Sequence, residues 1–224
     1  MTTEKLVSLK KTARWSGALM IVLAIAAGFG IMYVPETLAA AGDKIGKYQG
    51  LLGAGISANA IVFLVEIAIV ALLYKLLEPV NRNLSLMAAY ARLAMTVVQG
   101  VNVINLIFVL VIVSGNNVGA AFDPAQISAL TSLFLETFGI GSLVWGWFFG
   151  LHLVISGYLV YKSGYLPKVI GVLLLVISAA YFIQSFGTFL LPQYTEIFTT
   201  IGLLSIIELV FPIWLIVKGV KEPS

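Results

Sequence analysis

Six apolar runs, each long enough to cross a lipid bilayer, take up almost all of this 224-residue chain. They are Trp15–Val34, Leu51–Leu77, Leu84–Ser114, Ser132–Lys162, Pro167–Leu190 and Ile197–Lys218. A spanning helix needs about 20 mostly apolar residues. Lipid offers no hydrogen-bond partners, so such segments must satisfy their backbones internally. The expected fold class is therefore an all-α integral membrane protein, a bundle of six transmembrane helices forming one membrane domain over residues 1–224. Residues are 60% hydrophobic and 10% charged, and mean hydropathy is +1.05. Those values exclude an ordinary soluble domain. No length remains for a soluble catalytic or nucleic-acid-binding domain, so the pI near 9.1 reflects membrane-flanking cations and no nucleic acid is expected as a partner.

The cations set an expected orientation. Lys5, Lys10, Lys11 and Arg14 precede the first run, Lys75 and Arg82 flank the second connection, Lys162 and Lys168 the fourth, and Lys218 and Lys221 follow the last. The alternate connections hold only Lys44 and Lys47, both in the first, and Asn116–Gln126 carries Asp123 but no Lys or Arg. Positive residues favour the cytoplasmic side, so both termini are expected there, in a bacterial-type plasma membrane. The first run has a basic flank and a stretch, Leu38-Ala39-Ala40-Ala41-Gly42, that mimics a cleavage site. Its apolar core exceeds that of a usual signal peptide, so it is expected to remain as a helix. With no cysteine, disulfides and thiolate metal sites are unavailable.

Prolines mark the breaks: Pro79 after the second helix, Gly164 and Pro167 between the fourth and fifth, Pro192 after the fifth. Pro167 suits a first helical turn. Pro212, inside the sixth helix, is expected to kink it and free a carbonyl near Glu208. Three helices close alike, with Leu73-Tyr74-Lys75, Val160-Tyr161-Lys162 and Ile216-Val217-Lys218, followed by Pro79, Pro167 and Pro223. Duplicated hairpins would explain this, but Tyr–Lys anchors and Pro stops at inward ends explain it more simply.

Four ionisable residues lie deep inside these helices: Glu66, Arg92, His152 and Glu208. Counted from Lys75, Leu84, Lys162 and Lys218, each falls eight to ten residues from the inward boundary. At about 1.5 Å per residue that is about 12–15 Å, one shared layer near the midplane of a hydrocarbon core about 30 Å thick. Each such charge costs about 2.5–3.5 kcal/mol on insertion scales, so the group has to be paired, wetted or used. Because antiparallel neighbours share depth across a short connection, Glu66 and Arg92 are expected within hydrogen-bonding or single-water range. At about 100° per residue, Gln99 lies about 20° from Arg92, Asn102 about 80° and Asn59 about 20° from Glu66. Trp145 and Ser156 flank His152. Ser178, Tyr181, Ser185 and Thr188 form a stripe nearer the outside, and Glu136 reads as an outer-interface residue.

The expected ligand or proton pocket is thus Glu66, Arg92, His152 and Glu208, with Asn59, Gln99 and Asn102. Buried amides and hydroxyls more often serve as interhelical glue worth about 0.6 kcal/mol per contact. Four ionisable groups exceed what glue requires, although a purely structural charge cluster is the competing explanation. The run Trp145, Trp147, Phe148 and Phe149 reads as packing or lipid contact, and Trp15 and Tyr165 as interfacial anchors.

Several strings carry a resemblance: Ala13-Arg14 with Gly17, Leu73-Tyr74 through Pro79-Val80-Asn81, and Ala91-Arg92-Leu93. Most specific is Phe148-Phe149-Gly150-Leu151-His152, followed by Gly157-Tyr158-Leu159, Ser163-Gly164-Tyr165-Leu166-Pro167, Gly171 and Tyr181. Together they resemble the uncharacterised multi-pass membrane family catalogued as domain of unknown function 4386, across helices one to five. The resemblance implies a multi-pass fold and places Glu66, Arg92 and His152 at motif positions, Glu66 standing where the family more often has Asp. Glu208 lies outside it, and no catalytic role follows.

Three function classes compete. Binding or translocation of a small solute, ion or proton ranks first; His152 would titrate near neutral pH, and six helices are few for a transporter, so a homodimer is expected. A structural or assembly partner whose buried charges fix helix packing ranks second. An intramembrane enzyme acting on a lipid-like substrate ranks third, with His152 and the two acids as base, acid and electrostatic partner. The residues lean against an enzyme: there is no G-x-S-x-G, HExxH or P-loop. No cofactor is expected. No mid-helix Lys offers a Schiff base, and Arg92 opposes a divalent metal. The partners expected are the lipid bilayer and an unknown small solute or ion.

Overall fold

The computed structural model describes residues 3–115 and 119–221; Asn116 of the outer connection and Pro223 of the last helix ending lie outside them. Among the described residues there are helices and turns but no strand. Six helices are long and apolar enough to cross a membrane: α1 (Leu6–Ala41), α2 (Lys44–Leu77), α3 (Arg82–Val113), α4 (Pro124–Lys162), α5 (Lys168–Leu190) and α6 (Pro192–Val217). Their outward faces stay apolar, with Ile25 71%, Leu64 70% and Leu190 74% exposed. Glu66, Arg92 and His152 are at most 3% exposed. Apolar outside and ionic inside reverses the order of a soluble protein and matches a lipid solvent. The chain is a multi-pass membrane protein.

The expected spans are all present, but α1, α2, α4 and α6 are longer or less regular than the hydropathy suggested. Helix α4 begins at Pro124, not Ser132, because Asp123 and Gln126 close a reciprocal cap. The Gln126 N–H donates to Asp123 Oδ1 at 2.9 Å and the Asp123 N–H to Gln126 Oε1 at 3.0 Å. With Pro124 in the first turn, two orphan donors are satisfied. Helix α1 runs past Val34 and Pro35 to Ala41. A π segment, Gly28–Tyr33, precedes Pro35, and its wider turn accommodates a ring that would otherwise strike the carbonyl one turn back. In α6 the disturbance near Pro212 takes the form of a 3₁₀ stretch, Leu203–Leu209, with α geometry resuming at Val210.

The chain forms two compact units. The first comprises Met1–Val22, Val65–Thr96 and Leu143–Ser224. Within it, α2 and α3 are joined by a tight connection in which Asn81 Oδ1 accepts the Leu84 N–H at 3.0 Å and Ser85 donates to the Tyr74 carbonyl at 2.8 Å. Helices α4 and α5 cross backbone to backbone: a Cβ on Gly171 would lie 2.6 Å from the Tyr161 nitrogen, and one on Gly157 2.9 Å from the Gly171 carbonyl. Between them Gly164 takes a φ of +71°, which only glycine adopts readily. Tyr165, expected as an interfacial anchor, is buried and donates to the Leu76 carbonyl at 2.5 Å. Burial pushes its phenol above the usual range, so it remains a donor.

The second unit comprises Leu23–Leu64 and Val97–Ser142. Its apolar core includes Val34, Leu38 and Leu52 with Val103, Leu106, Val109 and Phe138.

Candidate functional site

Glu66 on α2 and Arg92 on α3 each lie about 15 Å along their helices from the connection joining them, so the antiparallel pair brings them level. Arg92 Nε donates to Glu66 Oε2 at 2.6 Å and Nη2 to Oε1 at 3.0 Å. This bidentate geometry is the strongest form of a carboxylate–guanidinium pair. The expectation that the two approach within hydrogen-bonding range is met.

His152 completes the network from α4. Its Nε2 lies 3.1 Å from Arg92 Nη1, and its Nδ1 lies 2.9 Å from the Ala88 carbonyl. Arginine can only donate and a carbonyl can only accept. The ring is therefore the neutral tautomer with its proton on Nδ1, and Nε2 offers its lone pair to Arg92. Ser156, one turn on, places its hydroxyl 3.4 Å from Nε2. Both ring nitrogens are thus engaged, and Nε2 can take up a proton only if Arg92 withdraws. The expectation that His152 titrates near neutral pH asks for a ring nitrogen free to take a proton, which this geometry does not leave.

Phe149, one turn before His152, stacks on its ring at 6.0 Å and 13° and lies 5.7 Å from the Arg92 guanidinium carbon. Cation–π attraction adds to the pairing. The gap bounded by Leu73, Tyr74, Ser85, Ala88, Arg92 and His152 is too narrow for a water molecule. The network is buried, and this gap leaves no room for water.

Glu208 belongs to the same unit but not to that network. It sits on the 3₁₀ stretch of α6, half-buried, and its Oε2 is buried without a hydrogen-bond partner. The Tyr181 hydroxyl of α5 faces both Glu208 and Ser205, and the charges of Arg92 and Glu66 act on the acid. The structure therefore gathers all four ionisable residues into one unit, three locked and one loose.

The three amides belong to the second unit and make bonds of their own. Asn59 Nδ2 donates to the Gly30 and Gly55 carbonyls, both at 3.0 Å. Asn102 Nδ2 donates to the Phe138 carbonyl at 2.8 Å and reaches Gln99 Oε1 at 3.4 Å. Asn59 and Asn102 join helix to helix in the manner of interhelical glue, whereas Gln99 bonds only within α3 and its Nε2 is buried without a partner.

Two contributors escaped the sequence reading. Phe149 reads by sequence as one of the packing aromatics, and its place three residues before His152 on one helix face is the signal that marks it. Tyr181 reads by sequence as part of a separate stripe on the fifth helix. Instead, Ser178 donates to the Gly150 carbonyl at 2.8 Å, and Tyr181 packs edge-on against Trp145 at 5.8 Å and Phe149 at 5.0 Å. The stripe faces α4. Trp147 stacks on Phe186 at 5.4 Å, the packing role expected of it, and Glu136 is exposed.

A family model described as "Domain of unknown function (DUF4386)" matches residues 15–219. A protein of Archaeoglobus fulgidus described as "Uncharacterized protein" is 29% identical over 164 residues, 72% of this chain and 81% of the relative. No solved structure matches the chain significantly.

Proposed function

Since the chain belongs to the family described as domain of unknown function DUF4386, whose match spans all four ionisable residues, we propose that it binds or translocates a small solute, ion or proton at a site inside the membrane. The observation that carries this reading is the loose acid. Glu208 holds a buried carboxylate oxygen with no partner, on an irregular stretch of helix, in the same compact unit as a fully bonded ion pair. An intramembrane ionisable group facing the bundle interior marks a ligand or proton path, and irregular backbone at that depth is tolerated where it serves a site. In this reading Glu66, Arg92 and His152 are the fixed electrostatic frame and Glu208 is the working group. The single membrane domain lies in a bacterial-type plasma membrane with both termini cytoplasmic, and the working form is a homodimer.

The test is flux into proteoliposomes under imposed proton, sodium and potassium gradients, comparing the native chain with Glu208→Gln. Flux that Glu208→Gln abolishes supports the reading. Equal flux, or none under any gradient, sinks it.

A second reading is favoured by the burial of the Glu66–Arg92–His152 network. A buried cluster serves helix registration as well as chemistry. Under this reading the protein is a structural or assembly partner, and replacing the pair together by apolar residues of like volume leaves its complexes in native membranes unchanged.

A further inference from the structure

Deepening the reading of a mid-membrane site, and resting on it, we infer that Glu208 carries one exchangeable proton at neutral pH, held on Oε2, and that this proton is the single cation the buried cluster takes.

The argument is a charge count over one compact unit. Away from the helix ends its buried or half-buried ionisable side chains are Glu66 on α2, Arg92 on α3, His152 on α4, Tyr181 on α5 and Glu208 on α6; Tyr90 and Tyr158 are exposed phenols, and from Trp15 to Val22 α1 contributes none. Glu66 and Arg92 cancel through two hydrogen bonds. His152 is neutral, because its Nδ1 bonds a carbonyl and its Nε2 meets an arginine N–H. Tyr181 is a neutral phenol. Glu208 is left over: ionised, it gives the cluster one uncompensated negative charge, with Oε2 buried and without a hydrogen-bond partner. An isolated buried carboxylate is far too costly to persist, so it neutralises or takes a cation.

The count also fixes the class of ligand. A divalent cation needs two uncompensated negative charges, and Glu66 is already spent on Arg92. One positive charge balances the site. Glu208 and the facing hydroxyls of Tyr181 and Ser205 provide few oxygens to replace the hydration shell of an alkali cation, whereas a proton needs one. The step is simple: a hydronium ion gives up one proton, its O–H bond breaking as an O–H bond forms on the carboxylate oxygen and neutral water leaves, and the reverse releases the proton to water. Release leaves the negative charge behind, so a second cation must then occupy the position.

The experiment is infrared spectroscopy of the full chain in lipid at neutral pH, reading the carbonyl stretch of protonated buried carboxyl groups. The native chain should show one such band and Glu208→Gln none. Glu66→Gln should also show none, because Glu208 then ionises as the counterion of Arg92. Arg92→Gln should show two, since both acids lose their cation. The pair of native chain and Glu208→Gln decides the matter even if the other variants fail to accumulate. A native chain without the band, or a band that survives in Glu208→Gln, overturns the inference. A band that emerges only when sodium and potassium are replaced by a bulky organic cation also overturns it, naming an alkali ion as occupant. A band without proteoliposome flux leaves the proton in place and defeats the transport reading; flux without a band does the reverse.

Discussion

Arg92 holds Glu66 by two parallel hydrogen bonds and reserves a third nitrogen for His152. One guanidinium thus ties together α2, α3 and α4 at a depth where no water replaces any of its partners. Removing either end of such a pair leaves a buried charge, whereas removing both leaves only packing to repair.

Arg92→Ala should destabilise the protein by about 3–5 kcal/mol, the cost of an orphaned buried charge. Glu136→Ala, at an exposed position, should change little. Immunoblots of membrane fractions and thermal unfolding in one detergent measure both. The double variant Glu66→Leu with Arg92→Met should recover much of the loss; equal levels for Arg92→Ala and Glu136→Ala would contradict the buried pair.

His152 is the sole histidine, so ring ¹⁵N resonances need no assignment. Nuclear magnetic resonance of the labelled protein should show one protonated and one bare nitrogen at neutral pH. Replacement by Leu removes the second bond to the Ala88 carbonyl, leaves an Arg92 side-chain N–H without a partner and should cost about 1–3 kcal/mol, less than Arg92→Ala. A doubly protonated ring at neutral pH would refute the bonding pattern.

Gly171→Ala forces apart the crossing of α4 and α5, since the new Cβ meets backbone atoms of Tyr161 and Gly157. Overpacking of this kind costs about 1–3 kcal/mol. Gly100→Ala, where a Cβ meets nothing within 4 Å, is the matched control and should melt at or slightly above the native temperature. Equal melting of the two variants would mean that the helices can part at no cost.

Because the chain has no cysteine, single replacements report sidedness directly. Ser8→Cys, at the start of α1, and Ala125→Cys, in the first turn of α4, are both exposed positions. An impermeant thiol reagent added to intact cells should label Ala125→Cys and spare Ser8→Cys. The opposite pattern would invert the proposed orientation.

The six helices were legible because hydrophobic length alone dictates them, and the Glu66–Arg92 pair because a short connection equalises depth. Angular projection did less well: it puts residues on a face without saying which neighbour that face meets. Asn59 projects close to Glu66 yet bonds Gly30 and Gly55 in the other unit. Tyr181 projects with the α5 hydroxyls and turns out to face Glu208. The early start of α4 was readable in Asp123, Pro124 and Gln126, but hydropathy weighs only apolar residues and passes over a polar cap. The π turn of α1 and the 3₁₀ stretch of α6 follow from how each helix accommodates a proline, a choice that a linear string leaves open.

The 3₁₀ stretch gives α6 a mechanical property. Seven residues, Leu203–Leu209, run in this tighter winding, rising about 2.0 Å each where an α-helix rises about 1.5 Å, a surplus of about 3.5 Å. Each also turns about 120° where an α residue turns about 100°, which accumulates to about 140° over the stretch. Length and rotation are therefore geared together, as in a screw. Glu208 is cut into the thread, so a pull or push of a few ångströms along α6 turns its carboxylate to a different bearing.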